Sequence, residues 1–156
     1  MPPSKEQQHA IIDAMITAYN AEIETVMNYL ANSVNLDGVR AEHIKSSLEA
    51  DIQEELGHAT MLAKRIRILG GVVPGSQALT WKQTAMQPPA RSTDVLAIIK
   101  GVIEIEESAI AGYEKIIELC DGVDYATQDL AITLMADEQE HRRHFIGFLK
   151  EYEKGA

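Results

Sequence analysis

The sequence contains two Glu-x-x-His motifs that lie far apart in the chain, Glu55/His58 and Glu138/His141. Residues three apart project from the same side of an α-helix. Each motif can therefore offer a carboxylate oxygen and an imidazole nitrogen to one metal ion. A single motif of this kind is a weak signal. The residues that accompany each copy decide whether the pair has chemical meaning.

The two motifs belong to a longer repeat in which a glutamate and a tyrosine precede each copy. From the first glutamate, the other members follow at +7, +33 and +36 in one set and at +7, +32 and +35 in the other. Such close agreement predicts two copies of one helical hairpin. The two sets are Glu22, Tyr29, Glu55 and His58, and Glu106, Tyr113, Glu138 and His141.

The glutamates and histidines of both sets fall on apolar stripes at helical spacing. Glu22, for example, lies three residues after Tyr19 and four before Val26. Ionisable side chains are almost never buried without a partner or a metal. Four carboxylates balance two divalent cations, and mixed oxygen and nitrogen ligands suit iron(II), manganese(II) or zinc alike. We therefore predict a two-metal site formed by Glu22, Glu55, His58, Glu106, Glu138 and His141.

Other glutamates flank these six residues, so the choice among neighbours depends on helical register. Glu106 keeps the spacing of the apolar stripe with Val102 and Ile110. A helix rotated by one position would change that choice. We expect the neighbours to face solvent, namely Glu24, Glu54, Glu104, Glu107 and Glu140.

Tyr29 and Tyr113 each follow a candidate ligand by seven residues. We predict that both are core residues whose hydroxyls can donate hydrogen bonds to ligand carboxylates. Glu6 and His9 also fit the Glu-x-x-His pattern, but they lie near the start of a helix. We interpret that third pair as surface residues.

Four long stretches with apolar residues at helical spacing must position these side chains, and no stretch alternates as a half-buried strand does. The chain is therefore predicted to be all-α, with two antiparallel hairpins packed as a four-helix bundle in one domain, residues 1–156. The stripe of the first helix includes Met27 and Leu30. The predicted helices span about residues 4–31, 39–69, 94–120 and 125–152, with one long crossover at 70–91.

Composition limits the classes of partner. Of the 156 residues, 24 are acidic and 14 are Lys or Arg, for a net charge of −10, and 46 % are hydrophobic. This acidic balance argues against nucleic acid or an anionic membrane as a partner and favours cations. The one cysteine fits a reducing compartment, and no apolar run suits a signal or a membrane span. We expect a soluble cytoplasmic protein.

One glutamate from each of two helices, with Glu-x-x-His from each of the other two, resembles the ferritin-like di-iron pattern. Within that superfamily the chain is similar to the bacterioferritin and Dps-like branch. The similarity is carried by four segments: NAEIETVMNYL around Glu22, EELGH around His58, EESAIAGY around Glu106 and DEQEH around His141.

The resemblance implies two iron ions per chain, with Glu55 and Glu138 bridging them, and a homo-oligomer between a dimer and a closed shell. It implies terminal positions for Glu22 and Glu106. Haem is not expected, because bacterioferritins place a haem-ligating Met where this chain has Leu56. The Dps-like branch with a cysteine pair at the metal site is not matched either, because Cys120 is alone.

The leading functional hypothesis is a ferroxidase that oxidises Fe(II) with O2 or H2O2 for iron storage or detoxification. A second hypothesis is a di-iron or di-manganese redox enzyme that stores nothing, such as a rubrerythrin-like peroxidase, a catalase or a hydroxylase. A third is a metal-free helical interaction module. The three differ in how much iron the protein turns over and in whether metal stabilises the fold.

Overall fold

The computed structural model describes residues 2–154, and within them the regular structure is entirely helical. Four long α-helices account for most of the chain, and a single 3₁₀ turn, Ser76–Ala78, interrupts the crossover. The all-α prediction is confirmed. The helices are α1 (Lys5–Asn35), α2 (Glu42–Ile68), α3 (Val95–Cys120) and α4 (Tyr125–Lys154).

Side-chain caps define where helices begin. Ser4 accepts a hydrogen bond from the backbone N–H of Gln7, and the Gln7 side chain accepts one from the Ser4 N–H. This capping box satisfies two backbone donors that the first turn of α1 would leave unpaired. Asp94 caps α3 in a simpler way, by accepting from the N–H of Ala97.

Two helix limits differ from the predicted ones by more than two residues. Helix α1 continues to Asn35 instead of ending near residue 31, because Asn32 is buried and donates to the main-chain oxygen of Met86. Helix α2 begins at Glu42 instead of near residue 39. The chain first turns at Gly38, whose φ of 100° favours glycine, and Ala41 bonds back to the Gly38 carbonyl.

The four helices form a bundle of two hairpins. Helix α1 packs against α2 and α3, and α3 packs against α4. The α2–α4 seam completes the bundle on the side away from α1 and α3. Residues 69–94, which include the crossover, return the chain along the outside of α1 to the start of α3. At Gly101 of α3 the crossover comes so close that a Cβ atom would lie 2.4 Å from the Ala85 oxygen.

The core is divided into two apolar clusters, one toward each end of the bundle. The first, here called the Phe145 cluster, contains Tyr29, Leu48, Ile99 and Val102. The second, here called the Leu134 cluster, contains Met15, Leu62, Tyr113 and Ile116. On every helix the residues predicted to bind metal lie between these two clusters.

Some residues on the predicted apolar stripes face outward. Met27 and Leu30 of α1 are 51 % and 54 % exposed, so the stripe that we predicted for α1 is too wide. Trp81 of the crossover is 54 % exposed. Within residues 2–154, none of the helices is long and apolar enough to cross a membrane.

Candidate metal centre

The six residues predicted to bind metal converge at the middle of the bundle. Each of them is at most 6 % exposed, although all six are ionisable. Every helix contributes, and α2 and α4 contribute one Glu-x-x-His motif each. They are Glu22 on α1, Glu55 and His58 on α2, Glu106 on α3, and Glu138 and His141 on α4.

The six side chains form two overlapping groups of four. In each group, one ligand atom from every residue lies within 4.8 Å of the others. Glu55 and Glu138 belong to both groups. Glu22 and His58 complete the first, and Glu106 and His141 complete the second. Two adjacent cations held by these groups would share the two common carboxylates.

The imidazole of His58 points its Nδ1 atom at the carboxylates. Nδ1 lies 2.6 Å from Oε1 of Glu138 and 3.2 Å from Oε2 of Glu55. The opposite atom, Nε2, lies 3.1 Å from Oδ2 of Asp137. A proton on Nε2 that is donated to Asp137 leaves the Nδ1 lone pair free to bind a metal.

His141 has the same orientation on the other side of the cluster. Its Nδ1 lies 3.1 Å from Oε1 of Glu55, and its Nε2 lies 2.8 Å from Oε2 of Glu54. The centres of the two imidazole rings are 6.2 Å apart, and the angle between the ring planes is only 20°. Both histidines therefore aim the same ring nitrogen at the cluster and bond an outer carboxylate with the other.

Several buried polar atoms of the cluster face one another and have no hydrogen-bond partner outside the cluster within residues 2–154. Buried polar groups normally have a partner, because an unpaired one costs about 1–3 kcal/mol. Such a concentration at one place fits a set of metal ligands better than a hydrogen-bonded network. The atoms are Oε2 of Glu22, Oε2 of Glu55, Nδ1 of His58, Oε2 of Glu106 and Oε1 of Glu138.

Two buried tyrosines hold the carboxylates of α1 and α3. Tyr29 on α1 donates to Oε1 of Glu106 on α3 at 2.6 Å. Tyr113 on α3 donates to Oε1 of Glu22 on α1 at 2.9 Å. Each tyrosine therefore bonds the glutamate of the other repeat, and one oxygen of each carboxylate remains free.

Protonation balances the charge of the cluster when no metal is bound. Burial, reinforced by neighbouring carboxyl groups, raises the pKa of Glu138 and of Glu22 well above the usual range. Burial disfavours a charged Glu106 as well, but hydrogen bonds, first that from Glu138, lower its pKa. Burial also opposes a charged His141, yet the nearby carboxylates of Glu106 and Glu55 raise its pKa. Bound protons thus neutralise negative charge that divalent cations would balance in the metal-bound protein.

Sequence reasoning placed one neighbouring glutamate wrongly. Glu24 is only 5 % exposed, whereas we expected it to face solvent. Its two carboxylate oxygens accept hydrogen bonds from the N–H groups of Lys82 and Gln83 in the crossover. The signal in the sequence is a polar row on α1 at four-residue spacing, which consists of Asn20, Glu24, Asn28 and Asn32.

The contacts of three outer carboxylates with the two histidines were not predicted. Glu54 is about half exposed, as expected for its side chain, but it also bonds His141. Asp137 bonds His58, and Asp51 lies 3.8 Å from Nε2 of His141. Burial raises the pKa of Asp51 to about 6. For Glu54 and Asp137 the available signal was an acidic residue directly before the glutamate of each motif, whereas Asp51 lies one helical turn before Glu55.

The other acidic and histidine residues that we expected at the surface are exposed to solvent. Glu6 and His9 are exposed on the first turns of α1, away from the cluster. Glu104, Glu107 and Glu140 are exposed on the outer faces of α3 and α4. Of the glutamates expected to face solvent, only Glu24 is buried.

The sequence matches a known protein family over most of its length. The profile of the family described as Ferritin, ferritin-like domain, matches residues 12–154. The DNA protection during starvation protein of Pyrococcus furiosus is 29 % identical over 139 residues, covering 86 % of this chain and 74 % of that protein. The bacterial ferritin of Neisseria meningitidis serogroup B is 25 % identical, covering 88 % of this chain and 84 % of that protein.

Solved structures agree in fold. The dodecameric thioferritin of Bacteroides fragilis, described as a bacterioferritin-related protein, superposes with a TM-score of 0.85 at 24 % identity. That superposition covers 94 % of this chain and 88 % of the other. With the family profile matching almost the whole length, the chain belongs to the ferritin-like domain family.

Proposed function

We propose that this protein is a ferroxidase, which oxidises Fe(II) at an intrasubunit two-iron centre with O2 or H2O2. The observation that carries the proposal is the pair of overlapping ligand groups, in which five buried atoms have no hydrogen-bond partner outside the cluster. Glu22, Glu55, His58, Glu106, Glu138 and His141 are the proposed ligands. Manganese or zinc also suit this donor set.

The chemistry is a two-electron reaction shared by two metal ions. Each Fe(II) gives up one electron, and H2O2 takes up two electrons and two protons to yield two molecules of water. With O2, the same two electrons and two protons yield H2O2. Iron is thus the substrate of the reaction, and the oxidant is the electron acceptor.

The protein's part is to hold two cations close together and to favour the higher charge. Four carboxylates supply hard, anionic oxygen ligands, which stabilise Fe(III) relative to Fe(II). Asp137 and Glu54 fix the two imidazoles with Nδ1 toward the metals. Tyr29 and Tyr113 keep Glu106 and Glu22 from turning away.

Coupling of oxidation to iron storage, in a homo-oligomeric shell, extends the proposal. It is supported by the similarity to proteins named bacterial ferritin and by the dodecamer described for the Bacteroides fragilis protein. The acidic surplus of ten charges fits a protein that attracts Fe(II). Size exclusion with light scattering measures the number of chains directly.

The test is aerobic addition of Fe(II) while ferric absorbance is followed. We expect rapid oxidation in the natural protein and loss of it in the double variant Glu55→Gln, Glu138→Gln. The double variant Glu107→Gln, Glu114→Gln removes the same charge from exposed positions and serves as the control. Oxidation that persists without Glu55 and Glu138 contradicts the proposal.

The same experiment separates storage from a non-storage redox enzyme. Storage predicts that oxidation continues well beyond two irons per chain and that iron remains with the protein during size exclusion. A reaction that stops at two irons per chain contradicts storage while leaving the metal centre in place.

A further inference from the structure

Two cavities open along the seam between α1 and α3. One has a volume of about 340 Å³ and extends under the crossover, and the other has a volume of about 130 Å³ and lies further toward the Leu134 cluster. Both lie on the side of the bundle where Tyr29 and Tyr113 cross between the two helices. Both reach the candidate metal centre at the same residue, Glu22.

The cavities share a short segment of wall made of small side chains. Thr17 and Ala21 of α1 face Ser108 and Ala109 of α3 in this segment. Larger residues at these positions would fill the seam. The four residues are uncharged, so the segment offers no charged group to a cation, and three charged residues that line the larger cavity, Glu24, Lys82 and Glu104, lie outside the segment.

Glu22 forms the inner end of this segment and also belongs to the candidate metal centre. The side chain is 3 % exposed, and its Oε2 atom has no hydrogen-bond partner within residues 2–154. Its Oε1 atom is held by Tyr113. Oε2 lies 3.8 Å from Nδ1 of His58, on the side of the cluster, so a molecule that passes along the segment to Glu22 arrives at the candidate metal centre.

The opposite seam, between α2 and α4, differs from the α1–α3 seam in charge. Asp51 and Glu54 of α2 and Asp137 of α4 lie there, outside the two histidines. Glu54 and Asp137 are 49 % and 41 % exposed, so this side presents carboxylates to solvent. It suits a cation, whereas the α1–α3 segment suits a neutral molecule.

We propose that the oxidant, H2O2 or O2, reaches the candidate metal centre through the α1–α3 seam, between Ala21 and Ala109. This inference rests on the proposed ferroxidase function, because it assigns a route to the second substrate of that reaction. Ala21 and Ala109 then control how fast the oxidant arrives, without binding metal themselves.

The experiment narrows the seam from each wall in turn, with Ala109→Leu on α3 and Ala21→Val on α1. Ala111→Leu, an exposed position on the same helix as Ala109, is the matched control. Each full-length protein is first titrated with Co(II), to confirm that two ions still bind per chain. Nitric oxide, a small neutral probe, is then mixed without oxygen with the Fe(II)-loaded protein, and its rate of binding is compared with the rate of Fe(II) oxidation by H2O2.

We expect both seam variants to bind Co(II) normally, and to slow nitric oxide binding and oxidation several-fold by the same factor, while Ala111→Leu changes neither. A seam variant that binds two Co(II) ions and takes up nitric oxide at the natural rate overturns the proposal. If both seam variants lose Co(II), the segment supports the ligands instead of admitting oxidant, and the proposal also fails. Slower nitric oxide binding in a protein that never oxidises Fe(II) supports the route and rejects the ferroxidase function.

Discussion

At the scale of single residues, the candidate centre depends on side chains that do not bind metal themselves. Asp137 and Glu54 set the tautomer of two histidines, and Tyr29 and Tyr113 set the direction of two glutamates. Partners of this kind commonly change metal affinity by about 10–100-fold when they are removed. Their contribution can be measured separately from that of the ligands.

Tyr113→Phe tests this contribution with the loss of one oxygen atom. The variant leaves Glu22 without its hydrogen bond at 2.9 Å, so the carboxylate is less well oriented. We expect the affinity for Co(II) to fall by about tenfold, measured by titration of the visible absorbance. Tyr19→Phe, at a partly buried position of α1, should leave the affinity unchanged. Equal affinities in the Tyr113 variant and the natural protein would show that the bond orients nothing.

At the scale of helices and connections, the sequence predicts most of what positions the site. The apolar stripes and the lengths of the connections predict the bundle. The Glu-x-x-His repeat predicts which residues meet at its centre, because ionisable residues on an apolar stripe need a shared interior position. The spacing could not predict the limits of α1, because Asn32 is buried by a crossover residue 54 positions away, Met86. Nor could it predict the burial of Glu24, for the same reason.

The crossover is attached to α1 by a row of polar contacts, and Glu24 is the centre of that row. Glu24→Gln replaces a carboxylate that accepts from two backbone N–H groups with an amide that has one acceptor oxygen. We expect local opening of the crossover to become easier by about 1–3 kcal/mol. Hydrogen exchange at the Lys82 and Gln83 amides measures this directly.

The control for this variant is Glu104→Gln. Glu104 is an exposed residue of α3 that lines the same cavity of about 340 Å³ as Glu24. It should leave exchange at both amides unchanged. Unchanged exchange in the Glu24 variant as well would mean that other contacts hold the crossover. The bonds of Asn20 to Thr80, at 2.8 Å, would then be the principal attachment.

The start of α4 provides a pH-dependent contact far from the candidate centre. Asp124 accepts from the backbone and hydroxyl of Thr127 and from Arg65. Partial burial opposes ionisation, but these bonds outweigh it and lower the pKa of Asp124 below its usual 3.8. Its stabilising effect is therefore complete above the unfolded pKa and is lost as the pH falls through the lower, folded pKa.

Asp124→Asn keeps a capping oxygen and removes the charge. We expect the variant to be less stable than the natural protein by about 0.5–1 kcal/mol at pH 7 and the difference to shrink below about pH 4. Urea unfolding at several pH values measures it. Asp129→Asn, an exposed position one turn later, should show no such trend. A difference that stays constant with pH would contradict the contribution of the charge.

At the scale of the whole molecule, the six ionisable residues of the candidate metal centre lie between two apolar clusters that stabilise the bundle. The Phe145 and Leu134 clusters lie on either side of six buried ionisable residues, so apolar packing holds the helices together at both ends of the candidate metal centre. The unpaired atoms between them reduce stability when no cation is bound. Substitutions that stabilise the metal-free protein at this level of the bundle are therefore expected to weaken metal binding.

Glu138→Met is designed to reveal that opposition. Methionine is unbranched and close to glutamate in length, and it replaces a carboxyl group that has one unpaired buried oxygen. Burial and the carboxyl groups of Glu22, Glu55 and Glu106 all oppose a charge on Glu138, so removing this carboxyl group relieves repulsion within the cluster. We therefore expect the metal-free variant to melt at a higher temperature than the natural protein.

Metal should reverse the order of the two melting temperatures, so that the natural protein melts at the higher temperature. Cobalt at 100 times its dissociation constant stabilises a protein that binds it by about 2.7 kcal/mol per site, so the natural protein gains and Glu138→Met, which lacks a shared ligand, gains little. Glu140→Met, exposed on the same helix, should respond to Co(II) as the natural protein does. If Glu138→Met melted earlier than the natural protein without metal, the carboxyl group would be supporting the fold, and the cluster would be a structural network instead of a site built for cations.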